Sequence, residues 1–213
     1  MFDWNEREIL RYLGYRGQEI PEPVGYLIEE CKQELEQYAV PKSIWRSYPL
    51  SIDGIAIDAG CFRTGSKNLA GNLKGCEELL LFAATLGSRV DILLHKYGRL
   101  QVSKAVVMQA AAASMLETYC DQINDELAER YSQQGKYLRP RFSPGYGDFS
   151  LACQVPIAAA LELTKRIGIT LTDSLLMAPS KSVTAVIGIS QNESRCTIRG
   201  CESCGKQDCE YRG

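Results

Sequence analysis

The chain has 213 residues, 45% of them hydrophobic and 23% charged, enough to bury a good-sized core in one domain with or without appended parts. Its 24 basic and 26 acidic residues are well mixed and leave a net charge of −2, so the basic stripe of a nucleic-acid binder is missing. The start, MFDWNEREIL, lacks the regions of a signal peptide, and the longest uncharged run (149–161) is too short for a membrane span, so a soluble cytoplasmic protein is expected.

In chain order, NEREILRYL (5–13) reads as a helix that ends at Gly14. A proline-punctuated loop then opens an amphipathic helix with Val24, Leu27, Ile28, Cys31 and Leu35 on one face. SIWRSYPLSI (43–52) and GIAIDAG (54–60) are short, alternating and turn-bounded, as strands are. SKNLAGNL (66–73) is a short helix with a serine N-cap, and EELLLFAATLG (77–87) a buried strand running into a glycine turn. SRVDILLHKYGRL (88–100) is a further amphipathic helix. It carries the only histidine, His95, for which a surface or capping role is expected. One histidine excludes an H-E-x-x-H motif and any His–His metal pair.

The longest helical pattern runs from about Ser103 to Ser132. Residues 105–116 carry no charge and are rich in alanine, which predicts a helix buried almost all round. Glu117 is the first charge to break that run, with Ala110, Ala113 and Ser114 nearby on its face.

YLRPRF (137–142) is extended, because the residue before a proline is pushed out of the helical region. SPGY (143–146) suits a type II turn: proline presets the first central position and glycine accepts positive φ at the second. Such a turn exposes backbone amides and leaves Arg141 and Tyr146 on its flanks. Arginine offers a fork to a carboxylate or phosphate and tyrosine a flat face to a ring, unless the turn is a plain hairpin with solvated arginines. LACQVPIAAALELTKRIG (151–168) reads as one helix closed by Gly168, and ITLTDSLLM (169–177) and SVTAVIGIS (182–190) as strands joined by APSK. Helices and strands in mixed order predict an α+β fold with a largely antiparallel sheet over 1–192, and 193–213 an appendage.

Cys31, Cys61, Cys76, Cys120 and Cys153 are scattered among apolar residues and read as small core hydrophobes. Cys196, Cys201, Cys204 and Cys209 are instead spaced C-x4-C-x2-C-x4-C in the appendage. In a reducing compartment that clustering points to a metal rather than to disulfides. Zinc held by four thiolates would be a closed structural site, and an iron–sulfur cluster a redox centre.

Several stretches, in order over roughly 70–200, resemble the activation (reactivation) domain of cobalamin-dependent methionine synthase, and more closely its free-standing activation proteins. They are GCEELLLFAATLGSRVD, QAAAASMLETYCDQIN, RFSPGYGDF, IGITLTDSLLMAPSKSVTAVIGIS and the cysteine tail. The resemblance implies a twisted, largely antiparallel sheet with flanking helices that binds S-adenosylmethionine. Arg141, Ser143, Gly145 and Tyr146 would form the cofactor loop, Arg141 gripping the methionine carboxylate and the 143–146 backbone reading adenine or ribose. Glu117 would attract the amino group or sulfonium. Lys181 and Ser182 lie in the matching PSKSV turn. GDFSLACQ and SRCTIRG depart from the family pattern, and no contact is carried over from them.

The implied activity is reductive methylation of cob(II)alamin. A donor such as flavodoxin or ferredoxin would supply the electron and S-adenosylmethionine the methyl group, so no general base or covalent nucleophile is needed. The chain has no D-x-H-x-x-G motif, so the cobalamin is expected on a partner, a methionine synthase lacking its own activation domain. The tail cluster would then relay the electron. The competing readings are a reactivator of another corrinoid methyltransferase and a metal-binding docking module with no methyl-transfer role.

Overall fold

The protein is described by a computed structural model that covers residues 2–192. In chain order its elements are α1 (Glu6–Tyr12), α2 (Glu22–Tyr38), β1 (Lys42–Pro49), β2 (Ser51–Asp53), β3 (Ala56–Asp58), β4 (Arg63–Gly65) and α3 (Lys67–Asn72). There follow β5 (Cys76–Thr85), α4 (Ser88–Leu100), α5 (Val102–Ser132) and β6 (Tyr137–Leu138). A 3-10 turn (Leu151–Cys153) leads into α6 (Gln154–Ala160), α7 (Leu163–Ile167), β7 (Thr170–Leu171), β8 (Met177–Ala178) and β9 (Ser182–Ser190). The described chain forms two compact units, one of residues 2–44, 83–126 and 162–183, the other of residues 45–82, 127–161 and 184–192.

The first unit is mainly helical. Asn5 Oδ1 accepts from Glu8 N at 3.2 Å to cap α1, and Gly14 takes φ +85° just beyond its end. Three of the five residues expected on the inner face of α2, Ile28, Cys31 and Leu35, are buried. On α4 the buried set is Val90, Leu93, Leu94 and Tyr97, a helical i, i+3, i+4, i+7 stripe. The alanine-rich part of α5 packs Met108, Ala111, Ala112 and Ser114 with no exposed surface, as its lack of charge requires. Lys104 at its start is also buried.

The second unit holds the antiparallel meander β2-β3-β4, in which Ile52 pairs with Ile57 and Ile57 with Thr64. Ile57 turns into the core, while the opposite face presents Asp53, Ala56, Arg63 and Gly65 to solvent. Leu79, Leu80, Leu81 and Phe82 of β5 are fully buried. Gly188 on β9 allows a close approach that no other residue would: a Cβ there would lie 2.7 Å from Cys76 Sγ and 2.8 Å from Leu73 Cδ2.

Among the described residues the main sheet has the order β1-β5-β9-β6. Val40 N donates to Leu86 O (2.8 Å) and Leu50 N to Glu77 O (2.9 Å), so β1 and β5 run antiparallel. β6 pairs antiparallel with β9, Leu138 opposite Ile189, and the ladder resumes at Phe142 opposite Val186.

Three expected elements differ. The strand expected over 43–52 ends at Pro49 in the main sheet, and Ser51 opens β2 of the meander. The helix expected over 151–168 is broken at Glu162, whose φ of 51° and ψ of 44° are left-handed. Leu161 and Leu163 are both buried, and residues two apart on a continuous helix point about 200° apart, so an unbroken helix could not bury both on one face. The chain also passes from one unit to the other at that point. The strand expected over 169–177 is instead the hairpin β7–β8. Thr172 N donates to Leu176 O, Leu176 N donates back to Thr172 Oγ1, and Leu175 sits at φ +64°. TDSL has the chemistry of a turn, and it overrides the β-branched residues around it.

Candidate functional site

The turn at 143–146 is built in the second unit from the ladder that precedes it. Phe142 exchanges both backbone hydrogen bonds with Val186 at 2.9 Å, which fixes Arg141 and Ser143 on either side. Tyr146 N then donates to Ser143 O (3.1 Å), and Gly145 sits at φ +94°, as a type II turn needs. Pro144 is buried, whereas Tyr146 is 60% exposed. Beneath the turn, Phe142 meets the Tyr146 ring edge to face at 6.2 Å, and Phe149 lies 6.2 Å from both Phe142 and Phe62.

The expectation of exposed amides fails at two positions. Gly145 N donates to Phe149 O (2.8 Å) and Tyr146 N to Ser143 O, while Pro144 has no N–H to give. A ligand at this turn would therefore meet the Pro144 and Gly145 carbonyl oxygens, the tyrosine ring and the Arg141 side chain rather than those two amides.

Glu117 lies on the part of α5 that belongs to the first unit and is half-buried. One turn earlier, Ser114 Oγ donates to Asn5 O at 3.2 Å, which ties α5 to the cap of α1. Tyr12 of α1 bonds to Glu8 Oε1 at 3.2 Å. Its phenol is pushed up to about 12, first by burial and then by the charges of Glu8 and Glu117. Glu117 thus shares its surroundings with Tyr12 and Glu8, which the sequence does not single out, because nothing in NEREILRYL sets them apart from a solvated helix face.

The PSKSV turn is held by structural bonds of the first unit. Ser182 Oγ bonds to Thr85 Oγ1 (2.8 Å) and Pro179 O (2.7 Å), and Lys181 Nζ donates to Gln109 O (3.2 Å). Burial holds the Lys181 ammonium below the ordinary lysine range, partly offset by Asp91.

The model of the family described as vitamin B12 dependent methionine synthase, activation domain, matches residues 74–210, well over half of the chain. The chain belongs to that family. Among solved structures, one described as the MetH reactivation domain bound to AdoHcy aligns with a TM-score of 0.65 and 16% identity, covering 89% of this chain and 76% of that one. At that identity the likeness establishes the fold, and the expected mixture of helices and antiparallel sheet is borne out. No curated protein matches the chain.

In this activation domain Cys31, Cys76, Cys120 and Cys153 are buried as expected, and Cys61 is half-buried. Burial is the main cause that pushes the Cys31 thiol up to about 12, which leaves it unreactive. His95 is exposed on α4. Among the described residues no group of three or more His, Cys, Asp or Glu is placed to hold a metal, and no helix is long and apolar enough to cross a membrane. Cys196, Cys201, Cys204 and Cys209 lie outside the described residues. A concavity of about 490 Å³ on the meander is lined by Asp53, Ile55, Asp58 and Arg63 among others, and by none of the expected site residues.

Proposed function

We propose that this activation-domain protein binds S-adenosylmethionine and reactivates a cobalamin-dependent methionine synthase by reductive methylation of cob(II)alamin held by that partner. The observation that carries the reading is the type II turn at 143–146, with Tyr146 exposed and Arg141 anchored beside β9. The Gly145 and Tyr146 amides are spent within the turn, and the Pro144 and Gly145 carbonyls are acceptors that the adenine amino group and ribose hydroxyls of S-adenosylmethionine would match. Arg141 suits the methionine carboxylate through a charge-assisted fork. Tyr146 suits the adenine ring, and the carboxylate of Glu117 the cationic amino group or sulfonium. A family neighbour was solved with AdoHcy, the compound left when S-adenosylmethionine gives up its methyl group.

The reaction consumes one electron, one S-adenosylmethionine and partner-held cob(II)alamin, and yields methylcobalamin and S-adenosylhomocysteine. This chain contributes position: holding a methyl donor in line can supply about 7–11 kcal/mol of a barrier at best. Residues 1–192 would carry that role, and Cys196, Cys201, Cys204 and Cys209 in 193–213 would hold zinc or an iron–sulfur centre. An iron–sulfur centre would supply one-electron transfer, fed by flavodoxin or ferredoxin.

Calorimetric titration with S-adenosylmethionine tests the reading, with Arg141→Ala and Glu117→Ala as controls. Binding by wild type that weakens in both variants is expected, as is transfer of labelled methyl to the partner's cobalamin once reductant is added. Wild type that fails to bind would favour a docking module. Protein purified without oxygen and analysed for iron, sulfide and zinc decides what the tail holds.

A further inference from the structure

The loop that follows the turn is fastened by the carboxylate of Asp148. Asp148 Oδ1 accepts from Ser66 Oγ (2.5 Å) and Asn68 N (3.1 Å), and its Oδ2 accepts from Lys67 N (2.7 Å). Ser66 is itself the N-cap of α3: its Oγ accepts from Leu69 N at 3.0 Å and its hydroxyl proton goes on to Asp148. The other end of α3 reaches the other end of the loop, where Asn72 Nδ2 donates to Pro140 O (3.3 Å). Between these two anchors run residues 141–147, and Gly147, at φ +53°, lies so near Asn68 that a Cβ would stand 2.9 Å from its Nδ2. All of these residues belong to the second unit.

We propose that Asp148 is a positioning residue for ligand binding at this turn, with α3 as the rigid bracket that sets the direction of the 144–146 backbone. The inference rests on the S-adenosylmethionine reading and names what makes that site pre-organised. Asp148 does not touch the ligand. It neutralises the amide-rich start of α3 and spends its own charge there, so the loop is fixed by three charge-assisted hydrogen bonds to one short helix. The hydrogen bonds of Gly145 N and Tyr146 N close the turn on itself without aiming it, so its direction depends on such external support. The Ser66 hydroxyl is shared between the helix and the loop, so its loss loosens both.

The test uses the full chain with Asp148→Ala, Ser66→Ala and the conservative Ser66→Thr. Two quantities are read: the dissociation constant for S-adenosylmethionine, and amide hydrogen exchange of the ligand-free protein. Asp148→Ala is expected to weaken binding tenfold or more and to speed exchange at Gly145–Gly147 tenfold or more, with β5 unchanged. Ser66→Ala falls in between, and Ser66→Thr stays within threefold of wild type. Asp148→Asn keeps the shape and turns one acceptor into a donor facing Lys67 N. It supplies a milder version should the alanine variant not fold. Binding within twofold of wild type together with unchanged exchange in Asp148→Ala would overturn the proposal. A wild type that binds no S-adenosylmethionine overturns the ligand reading instead, and the exchange comparison still decides whether Asp148 fixes the turn.

Discussion

Lys104, in the first turn of α5, and Glu34, on α2, form an ion pair of 2.5 Å in which the lysine side chain is 3% exposed. Glu30 completes the arrangement at 2.6 Å, Tyr97 donates its hydroxyl to Glu34 at 2.8 Å, and the ammonium stands 4.2 Å from the Tyr97 ring centre. A cation at a helix N-terminus is opposed by the helix dipole and here by burial as well, so it depends on these partners. Burial disfavours the charged forms, yet the hydrogen bonds Lys104 donates to Glu30 and Glu34 raise its pKa, and those that Glu34 accepts from Lys104 and Tyr97 lower that of Glu34.

Removing the cation should therefore be costly. Lys104→Ala is expected to lose about 3 kcal/mol, because it leaves Glu34 partly buried without its counter-ion. Glu30→Ala, at the more exposed arm, should lose under about 1 kcal/mol. Urea denaturation of the two variants checks the ranking, and equal losses would contradict it.

Stability should fall at both ends of the pH scale. The contributions of Glu34 and Asp148, whose pKa values are lowered, are present above the ordinary 4.5 and 3.8 and lost as pH falls through the lower folded-state values. For Asp148 the leading cause is the Ser66 hydrogen bond. Lys104 has a raised pKa, so its contribution is complete below 10.5 and disappears as pH climbs through the higher folded value. Denaturation midpoints should change least between about pH 5 and 10, and Asp148→Ala should show a shallower acid loss than wild type.

Gly188→Ala should destabilise by about 2 kcal/mol, since the new methyl meets Cys76 Sγ at 2.7 Å, Leu73 Cδ2 at 2.8 Å and Arg139 Cγ at 3.0 Å. Adding Cys76→Ala should recover part of that loss. A double-mutant cycle measures the coupling, and strict additivity of the two changes would show that the contact is not the cause.

At the proposed ligand turn, Tyr146→Ala should raise the dissociation constant for S-adenosylmethionine about tenfold, while Tyr146→Phe, which keeps the ring, stays within about threefold. Glu117→Gln removes charge at constant shape and should weaken binding by a similar factor of about ten. Titration calorimetry on all three checks the assignment. A phenylalanine variant as weak as the alanine one would move the role from the ring to the hydroxyl.

Local signals in the sequence reached far. Ser66 reads as an N-cap and is one, the uncharged run 105–116 reads as a helix buried almost all round and is buried except on the side of Val106 and Gln109, and Pro144–Gly145 reads as a type II turn and forms it. What stayed hidden depends on residues far apart in the chain. No spacing rule connects Asp148 with Ser66, 82 residues earlier, and a lysine ahead of an alanine run gives no sign that Glu30 and Glu34 will bury it. The break at Glu162 was illegible for a similar reason: AAALELTK has good helix propensity throughout, and only the burial of both Leu161 and Leu163 breaks it.

The strand order carries a consequence for biosynthesis. β9 is the last of the described elements to leave the ribosome, yet it lies inside the sheet with β5 on one side and β6 on the other. Until residues 182–190 have been made, the apolar strand Cys76–Thr85 has no neighbour on that side, and Tyr137–Leu138 has no ladder to join. Nascent chains stopped before Ser182 should therefore expose a hydrophobic strand edge and engage chaperones, and release should coincide with the arrival of β9.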